Sequence, residues 1–377
     1  MLKNLKNILM NIEDLTYRIA FSQIRGNNRI IAEELLLKIG NEKEFFNAPS
    51  RIIEMQIGKK SKIAEDSYRK QILEKAKNEI DFITCNNINP IYFKDANYPQ
   101  RLLDCDDAPL MLYSLGNCDL NNSHVISIVG TRHATHYGVD MVERIIEDLA
   151  KRLDNIIIVS GLAYGIDIAA HRTALKHGIP TIAVLAHGLN TIYPAAHRNT
   201  AAEMVKKNGM LLTDYTSTDN VHRGNFLARN RIVAGLCDCI IVAESAVKGG
   251  AIVTADIADG YHRDVLALPG RANDPYSQGC NKLIASGKAA LITSAQDIID
   301  TMRWIAKPEE GEQCEMFADL NEDEQKIINF ISDNPLSSIN EISIGIDTPI
   351  SKLTSTLIDM EFRGLIVNYP GGRYDIS

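Results

Sequence analysis

The chain is 377 residues long, 45% hydrophobic and 23% charged, an ordinary globular composition with enough apolar material for two or three domains. Its net charge of −8 is the wrong sign for a protein that coats nucleic acid through a global field, so any nucleic-acid site has to be a local patch. No apolar run reaches the length of a membrane span and the amino terminus lacks a signal pattern, so a soluble cytoplasmic protein is expected.

Seven cysteines (Cys85, Cys105, Cys118, Cys237, Cys239, Cys280 and Cys314) are scattered without CxxC spacing or paired histidines. That argues against a zinc site or a disulfide framework and for reduced, packed thiols. The charge is uneven. Residues 306–377 hold five Lys/Arg against fourteen Asp/Glu, a net of −9, whereas residues 1–80 hold fifteen against eleven, a net of +4.

Residues 1–80 read as a helical domain, with apolar positions three and four apart at Ile12, Leu15 and Ile19 and again at Ile31, Leu35, Leu36 and Ile39, and with Gly26 and Gly40 as stops. The Gly26-Asn27-Asn28 turn could contact a phosphate, but packing is the favoured role. From Ile83 to Gly116 short apolar pieces are punctuated by Pro90, Pro99 and Pro109, the expected look of a connecting segment of short strands or turns.

Six short, mostly β-branched runs follow: 125–129, 156–159, 181–185, 210–213, 239–243 and 265–268. Helical patterns separate them, so residues 81–305 are expected to form βαβ units and a doubly wound, Rossmann-like, mostly parallel sheet. Ligands of such sheets bind beyond the carboxyl ends of the strands, where the strand order reverses. Those ends carry Gly130-Thr131-Arg132 with Tyr137 opening the next helix, then Ser160-Gly161, then His187-Gly188, and later Lys248-Gly249-Gly250 and Pro269-Gly270-Arg271.

Small residues there let the backbone approach a ligand, and amides at helix starts suit an anion. Between two of the strands lies Arg223-Gly-Asn-Phe226-Leu-Ala-Arg229-Asn230-Arg231, where guanidinium forks for phosphate oxygens alternate with a ring on which a base can stack. Residues two apart on a helix point roughly 200° apart, so at most one of Arg229 and Arg231 can face a bound strand. Neither a G-x-G-x-x-G fingerprint nor a Walker loop is present, which disfavours a nicotinamide cofactor and ATP hydrolysis.

Asp167 and His171 share a helix face, but a capping aspartate beside a packed histidine is commoner than an acid–base pair. Glu244, just past a strand end, is the better candidate base, although it could equally bind backbone amides or a ribose-like hydroxyl.

Residues 306–318 are polar and breaker-rich, a linker. In 319–377 the capping boxes Asn321/Glu324 and Ser338/Glu341 start two helices, Thr348-Pro349 starts a third, and a hairpin spans Leu365 to Ile376, the plan of a winged helix. Its acidity would repel a duplex, which suits a protein-interaction or regulatory module.

Taken together, Gly130-Thr-Arg132, Tyr137-Gly138, Ser160-Gly-Leu-Ala-Tyr-Gly-Ile-Asp167, His171, Tyr193-Pro194, Phe226 with Arg229-Asn-Arg-Ile-Val-Ala-Gly235, Glu244, Gly250, Thr254-Ala255, Pro269-Gly270 and Gly279-Cys-Asn281 make the chain resemble the DprA/Smf family of DNA-processing proteins. The resemblance implies a helical, SAM-like front, an extended Rossmann domain and a winged-helix tail. It also implies a homodimer that binds single-stranded DNA, needs no cofactor, catalyses no reaction, and hands the strand to RecA past single-strand-binding protein during natural transformation.

By the same resemblance Arg132 and Arg223 hold phosphates and Phe226 stacks on a base. Gly130, Thr131, Tyr137, Ser160, Gly161, Arg229, Asn230, Arg231, Lys248, Gly249 and Gly250 complete the expected DNA site, with the Gly130 and Gly161 amides taking phosphate oxygens. The chain departs from the family pattern at Leu227, where proline is common, and at Gly249, where serine is usual. The alternatives are a phosphoribohydrolase-like enzyme with Glu244 as the catalytic carboxylate, and a nucleotide-sensing module.

Overall fold

The computed structural model describes residues 2–24, 26, 28–58, 61–307, 320–363, 365–369 and 371–376. Asn27 of the first turn, the linker from 308 to 318, Cys314 and Pro370 lie outside the described residues. The chain divides into two compact units between Ala306 and Lys307.

The first unit opens with five helices: α1 (Leu2–Ser22), α2 (Arg29–Ile39), α3 (Glu42–Asn47), α4 (Ser50–Ile57) and α5 (Asp66–Cys85). Asn28 and Asn41 cap α2 and α3 through their side-chain oxygens, so the Asn28 side chain is spent on the Ile31 amide. Phe21, Phe45 and Ile53 are fully buried and belong to the same apolar core as one face of the sheet.

Next come β1 (Asn89–Tyr92), α6 (Gln100–Leu103), β2 (Met111–Gly116), β3 (His124–Val129), α7 (His136–Arg152), β4 (Ile156–Ser160), α8 (Ile166–Lys176), β5 (Thr181–Val184), α9 (Arg198–Lys206) and β6 (Met210–Thr213). They are followed by α10 (Arg223–Gly235), β7 (Cys239–Val242), α11 (Gly250–Gly260), β8 (Asp264–Ala267), α12 (Gln278–Ala285), β9 (Ala290–Leu291) and α13 (Ala295–Met302).

Nine strands form one sheet in the order β1-β2-β6-β5-β4-β3-β7-β8-β9. The run from β6 to β9 is parallel. The connecting segment expected to hold short strands or turns does form strands, and they lengthen the sheet, because β2 pairs antiparallel with β6 and β1 antiparallel with β2.

The period of two sorts each central strand between two cores. Val125, Val129, Ile157, Val159, Ile240 and Val242 face the core shared with the front helices, while Ile126, Ile128, Ile156, Ile158 and Ile241 face the core under α7, α8 and α13. Ser127 interrupts the first set, and its buried hydroxyl donates to the Val233 carbonyl at 2.7 Å. Apolar residues on both faces make this a fully covered sheet, which leaves the strand ends as the place for a ligand.

The second unit contains α14 (Glu322–Asp333), β10 (Ser337–Ser338), α15 (Ile339–Gly345), α16 (Ile350–Phe362), β11 (Ile366–Tyr369) and β12 (Arg373–Ile376). Both expected capping boxes form, and Pro349 stands just before α16 as its cap. The strands pair in the order β10-β12-β11 over a core of Ile327, Ile331, Ile342, Leu353 and Leu357.

Candidate functional site

The strand order reverses between β3 and β7, whose chains leave the sheet in opposite directions. A cavity of about 350 Å³ opens above this point. Its walls are the Gly130–Arg132 turn, Ser245, Ala246, Gly249 and Gly250 before and at the start of α11, and Phe226, Arg229 and Asn230 of α10. A smaller cleft beside it is lined by Arg132, Tyr164, Tyr193 and Phe226. Arg132 and Phe226 border both spaces.

The floor is held by two buried acids. Glu244, 1% exposed, accepts the Thr135 amide at 2.8 Å and the Thr135 hydroxyl at 2.5 Å, while its backbone carbonyl accepts the Thr131 amide at 2.7 Å. A carboxylate at the start of α7 is favoured by the helix dipole. It fits because residue 138 is glycine: a Cβ there would lie 2.4 Å from the Glu244 carboxylate.

Asp167 is the second acid. It accepts the Gly161 amide at 3.1 Å and the Ala163 amide at 3.3 Å, closing the loop after β4. Gly165 ends that loop with a φ of 78°, and a Cβ there would stand 2.2 Å from the Thr131 carbonyl, so the turn requires glycine. From the opposite side Arg229 donates to the Gly161 carbonyl at 2.9 Å and to the Val184 carbonyl.

Burial pushes the Asp167 carboxyl above its ordinary range against the pull of Arg229 and the loop amides. Burial lowers Arg229, with Asp167 opposing and the nearby Arg132 charge adding to the drop. Two cations therefore reinforce one positive field at the cavity, which an anion would relieve.

Set against the expected site, Gly130, Thr131, Arg132, Phe226, Arg229, Asn230, Gly249 and Gly250 come together around the cavity. Arg132 is exposed and its guanidinium lies over the Phe226 ring, 5.5 Å from the centroid. Arg223 and Lys248 are exposed, outside the cavity lining, and make no ion pair among the described residues. Arg223 is the first residue of α10, one turn before Phe226.

Several roles need correction. The Gly161 amide does not point to a ligand, because Asp167 takes it. Among the described residues the amides of Gly250 and Ala251, the first two residues of α11, have no acceptor, since helix starts leave them unpaired, and the Gly130 amide at the cavity has none either. Ser160 is buried, and its hydroxyl donates to the Ile128 carbonyl at 2.6 Å.

Tyr137 does not line the cavity, and its hydroxyl donates to the Pro269 carbonyl at 2.7 Å. Arg229 lines the cavity but is 4% exposed and spends its guanidinium on two carbonyls. Arg231 faces the other side of α10 and pairs with Asp214 at 2.6 Å. The two arginines diverge as helix geometry requires, and both belong to the scaffold.

The candidate acid–base residues are occupied too. His171 is fully buried with Nδ1 2.7 Å from the Thr181 hydroxyl, and desolvation lowers its pKa to about 3, with Arg229 and His197 adding to the effect. Among the described residues no cluster of His, Cys, Asp and Glu is arranged to hold a metal ion.

The family model described as DNA recombination-mediator protein A matches residues 89–303, which contain every element of this site. The chain belongs to that family. DNA processing protein DprA of Streptococcus pneumoniae is 40% identical over 205 residues, covering 54% of this chain and 71% of that protein. Protein Smf of Synechocystis is 30% identical over 338 residues, covering 77% and 84%.

Among solved structures, the X-ray structure of S. pneumoniae DprA matches at a TM-score of 0.61 and 30% identity, over 75% of this chain and 95% of that one. A Helicobacter pylori DprA structure, described for its single-stranded DNA binding mode, matches at a TM-score of 0.51 and 31% identity, over 57% and 95%.

In this member of the recombination-mediator family three aromatic residues join the site without having been singled out as contacts. Tyr193 meets Phe226 edge-on at 5.7 Å, Tyr164 meets His197 at 4.8 Å, and Tyr276 lies parallel to His133 at 6.2 Å. Tyr164 and Tyr193 remain 47% and 51% exposed. The available signal was position: each sits in a loop after a strand, and for Tyr164 and Tyr193 a large exposed ring there has no packing reason to be.

Proposed function

We propose that the protein binds single-stranded DNA along the carboxyl edge of its sheet, protects it, and acts as a recombination mediator that presents the strand to RecA past single-strand-binding protein, working as a homodimer. The observation that carries this reading is the Arg132–Phe226 pair at the shared rim of the two clefts. It offers a phosphate fork and a stacking ring at one point, with the open amides of α11 nearby and with Arg223 and Lys248, which make no ion pair among the described residues.

A non-catalytic role is supported by the engagement of Glu244, Asp167 and His171 in the scaffold. The tail suits protein contact, because Lys352 of α16 and Arg363 just past its end are drawn into ion pairs with Asp323 and Glu324 while Ile358 and Phe362 stay 51% and 88% exposed. Binding of mononucleotides and of oligothymidylates of increasing length, measured at two salt concentrations, tests the reading. Affinity should climb with length and fall with salt. Tight, length-independent mononucleotide binding would establish a nucleotide sensor instead, and release of free base from nucleoside monophosphates an enzyme.

A further inference from the structure

The cavity at β3 and β7 has a second aromatic wall. Phe226 lines it from α10, and Tyr276, from the loop between β8 and α12, lines it together with Ser245 and Ala246. The backbone of that loop is laced to its neighbour: the Ser245 amide donates to the Tyr276 carbonyl at 2.6 Å, and the Gly279 amide donates to the Ser245 carbonyl at 2.9 Å. Residue 279 has to be glycine for this approach, because a Cβ there would lie 2.5 Å from the Ser245 carbonyl oxygen. The Tyr276 amide is held as well, by Asp274 Oδ1 at 3.2 Å. The loop thus reaches over from β8 and fixes one residue at the strand-order reversal.

The ring of that residue is uncommitted. Tyr276 is half-buried and its hydroxyl has no hydrogen-bond partner among the described residues, whereas the packed Tyr92 and Tyr98 spend theirs on Glu42 and the Pro109 carbonyl. His133 faces Tyr276 at a tilt of 26° with ring centroids 6.2 Å apart. That is towards the loose end of the roughly 4.5–7 Å range for paired rings, so the two faces overlap little. The His133 imidazole is exposed and has no hydrogen-bond partner among the described residues either. Adjacent residues of one turn therefore serve different rings, Arg132 lying over Phe226 and His133 against Tyr276.

Between the rings the amides of Gly130, Gly250 and Ala251 have no acceptor among the described residues. The volume of about 350 Å³ is at the small end of the range for small-molecule sites, roughly 300–1,000 Å³. It admits a single base with its sugar rather than a stretch of strand.

We infer that Tyr276 is a second base-stacking platform of the strand site, taking a base that turns into the cavity while the phosphate chain stays at the rim on Arg132. The inference rests on the strand-binding reading and narrows it: bases paired in a duplex are stacked on one another and do not turn into a cavity, so this ring selects for single strands.

Anisotropy titration of the full chain with labelled oligothymidylate, and with a strand of equal length made wholly of abasic residues, tests it at an ionic strength low enough for both to bind. The abasic strand keeps the phosphates and removes the bases. Tyr276→Ala should weaken oligothymidylate binding about tenfold with the salt slope unchanged, and should leave affinity for the abasic strand as it is. Tyr276→Phe should keep the parent affinity for both, since the ring face and not the hydroxyl holds the base. Parent-like oligothymidylate binding by Tyr276→Ala, an equal loss on both strands, or a loss in Tyr276→Phe as large as in Tyr276→Ala would overturn the platform while strand binding stands. No binding of either strand by the unaltered chain would overturn both readings. Should Tyr276→Ala fail to fold, Tyr276→Leu, which keeps bulk without an aromatic face, takes its place with the same outcomes.

Discussion

Arg132→Ala isolates the rim from the floor. Arg132 is exposed and makes no hydrogen bond or ion pair with the rest of the described protein, so its removal should change stability by less than about 0.5 kcal/mol. Its expected ligand is a phosphate, and a hydrogen bond to a charged group contributes about 1.5–3 kcal/mol. At about 1.4 kcal/mol per decade, affinity for a single strand should fall roughly ten- to hundredfold. Loss of one phosphate contact should also reduce the slope of log affinity against log salt by about 0.7.

Fluorescence anisotropy with a labelled oligothymidylate across a salt series measures both quantities. Arg132→Lys separates charge from geometry, because lysine keeps the slope while losing the planar fork and its position over Phe226. Wild-type slope and affinity in Arg132→Ala would refute the phosphate assignment. A large fall in melting temperature would refute the separation of rim from floor.

Three further outcomes are expected. Phe226→Ala should cost about 1–3 kcal/mol of strand affinity through lost stacking, with the salt slope unchanged; the same anisotropy series checks it. Arg231→Ala should leave strand binding as it is but destabilise the fold by roughly 1–3 kcal/mol, because the half-buried Asp214 loses its charge partner; denaturant unfolding reads this directly.

His171 is neutral in the fold, with a pKa of about 3, and titrates at 6.5 when unfolded. Its contribution is therefore fully present above pH 6.5 and is lost as the pH falls towards 3, at about 1.4 kcal/mol per unit. His171→Gln should remove that slope, so at pH ~5 the acid loss of stability should shrink by roughly 2 kcal/mol relative to the parent.

The parallel core of the fold was legible because each strand is a short β-branched run bounded by glycine or a polar turn, and the six runs match β3 to β8 within a residue or two. The capping boxes at Asn321 and Ser338 were equally plain, since their partners lie three residues away. The edge strands were not. β2 takes its place through pairing with β6, about a hundred residues later, and β1 through pairing with β2, so although short strands or turns were expected there, prolines around them make the local text look like a connection.

The site divides the same way. Glycine loops, Arg132 and Phe226 announce themselves by position at strand ends. Whether an arginine serves a ligand or the scaffold depends on acceptors distant in sequence. Arg229 finds Gly161, 68 residues away, and Val184, 45 away; Arg231 finds the Asp107 carbonyl, 124 away. No local pattern encodes those partners, so the helical spacing shows that the two diverge but not that both are spent.

The Arg229 staple has a consequence for how this protein can vary. One side chain from α10 fastens the loop after β4 to the end of β5, so the shape of the floor and the integrity of the fold are a single property. A change at Arg229, Asp167 or Glu244 cannot retune recognition without first loosening the domain. Arg132, Arg223, Lys248 and the exposed faces of Tyr164 and Tyr193 carry no such double duty. Length preference, base preference and salt tolerance can drift through these rim positions while the floor stays fixed.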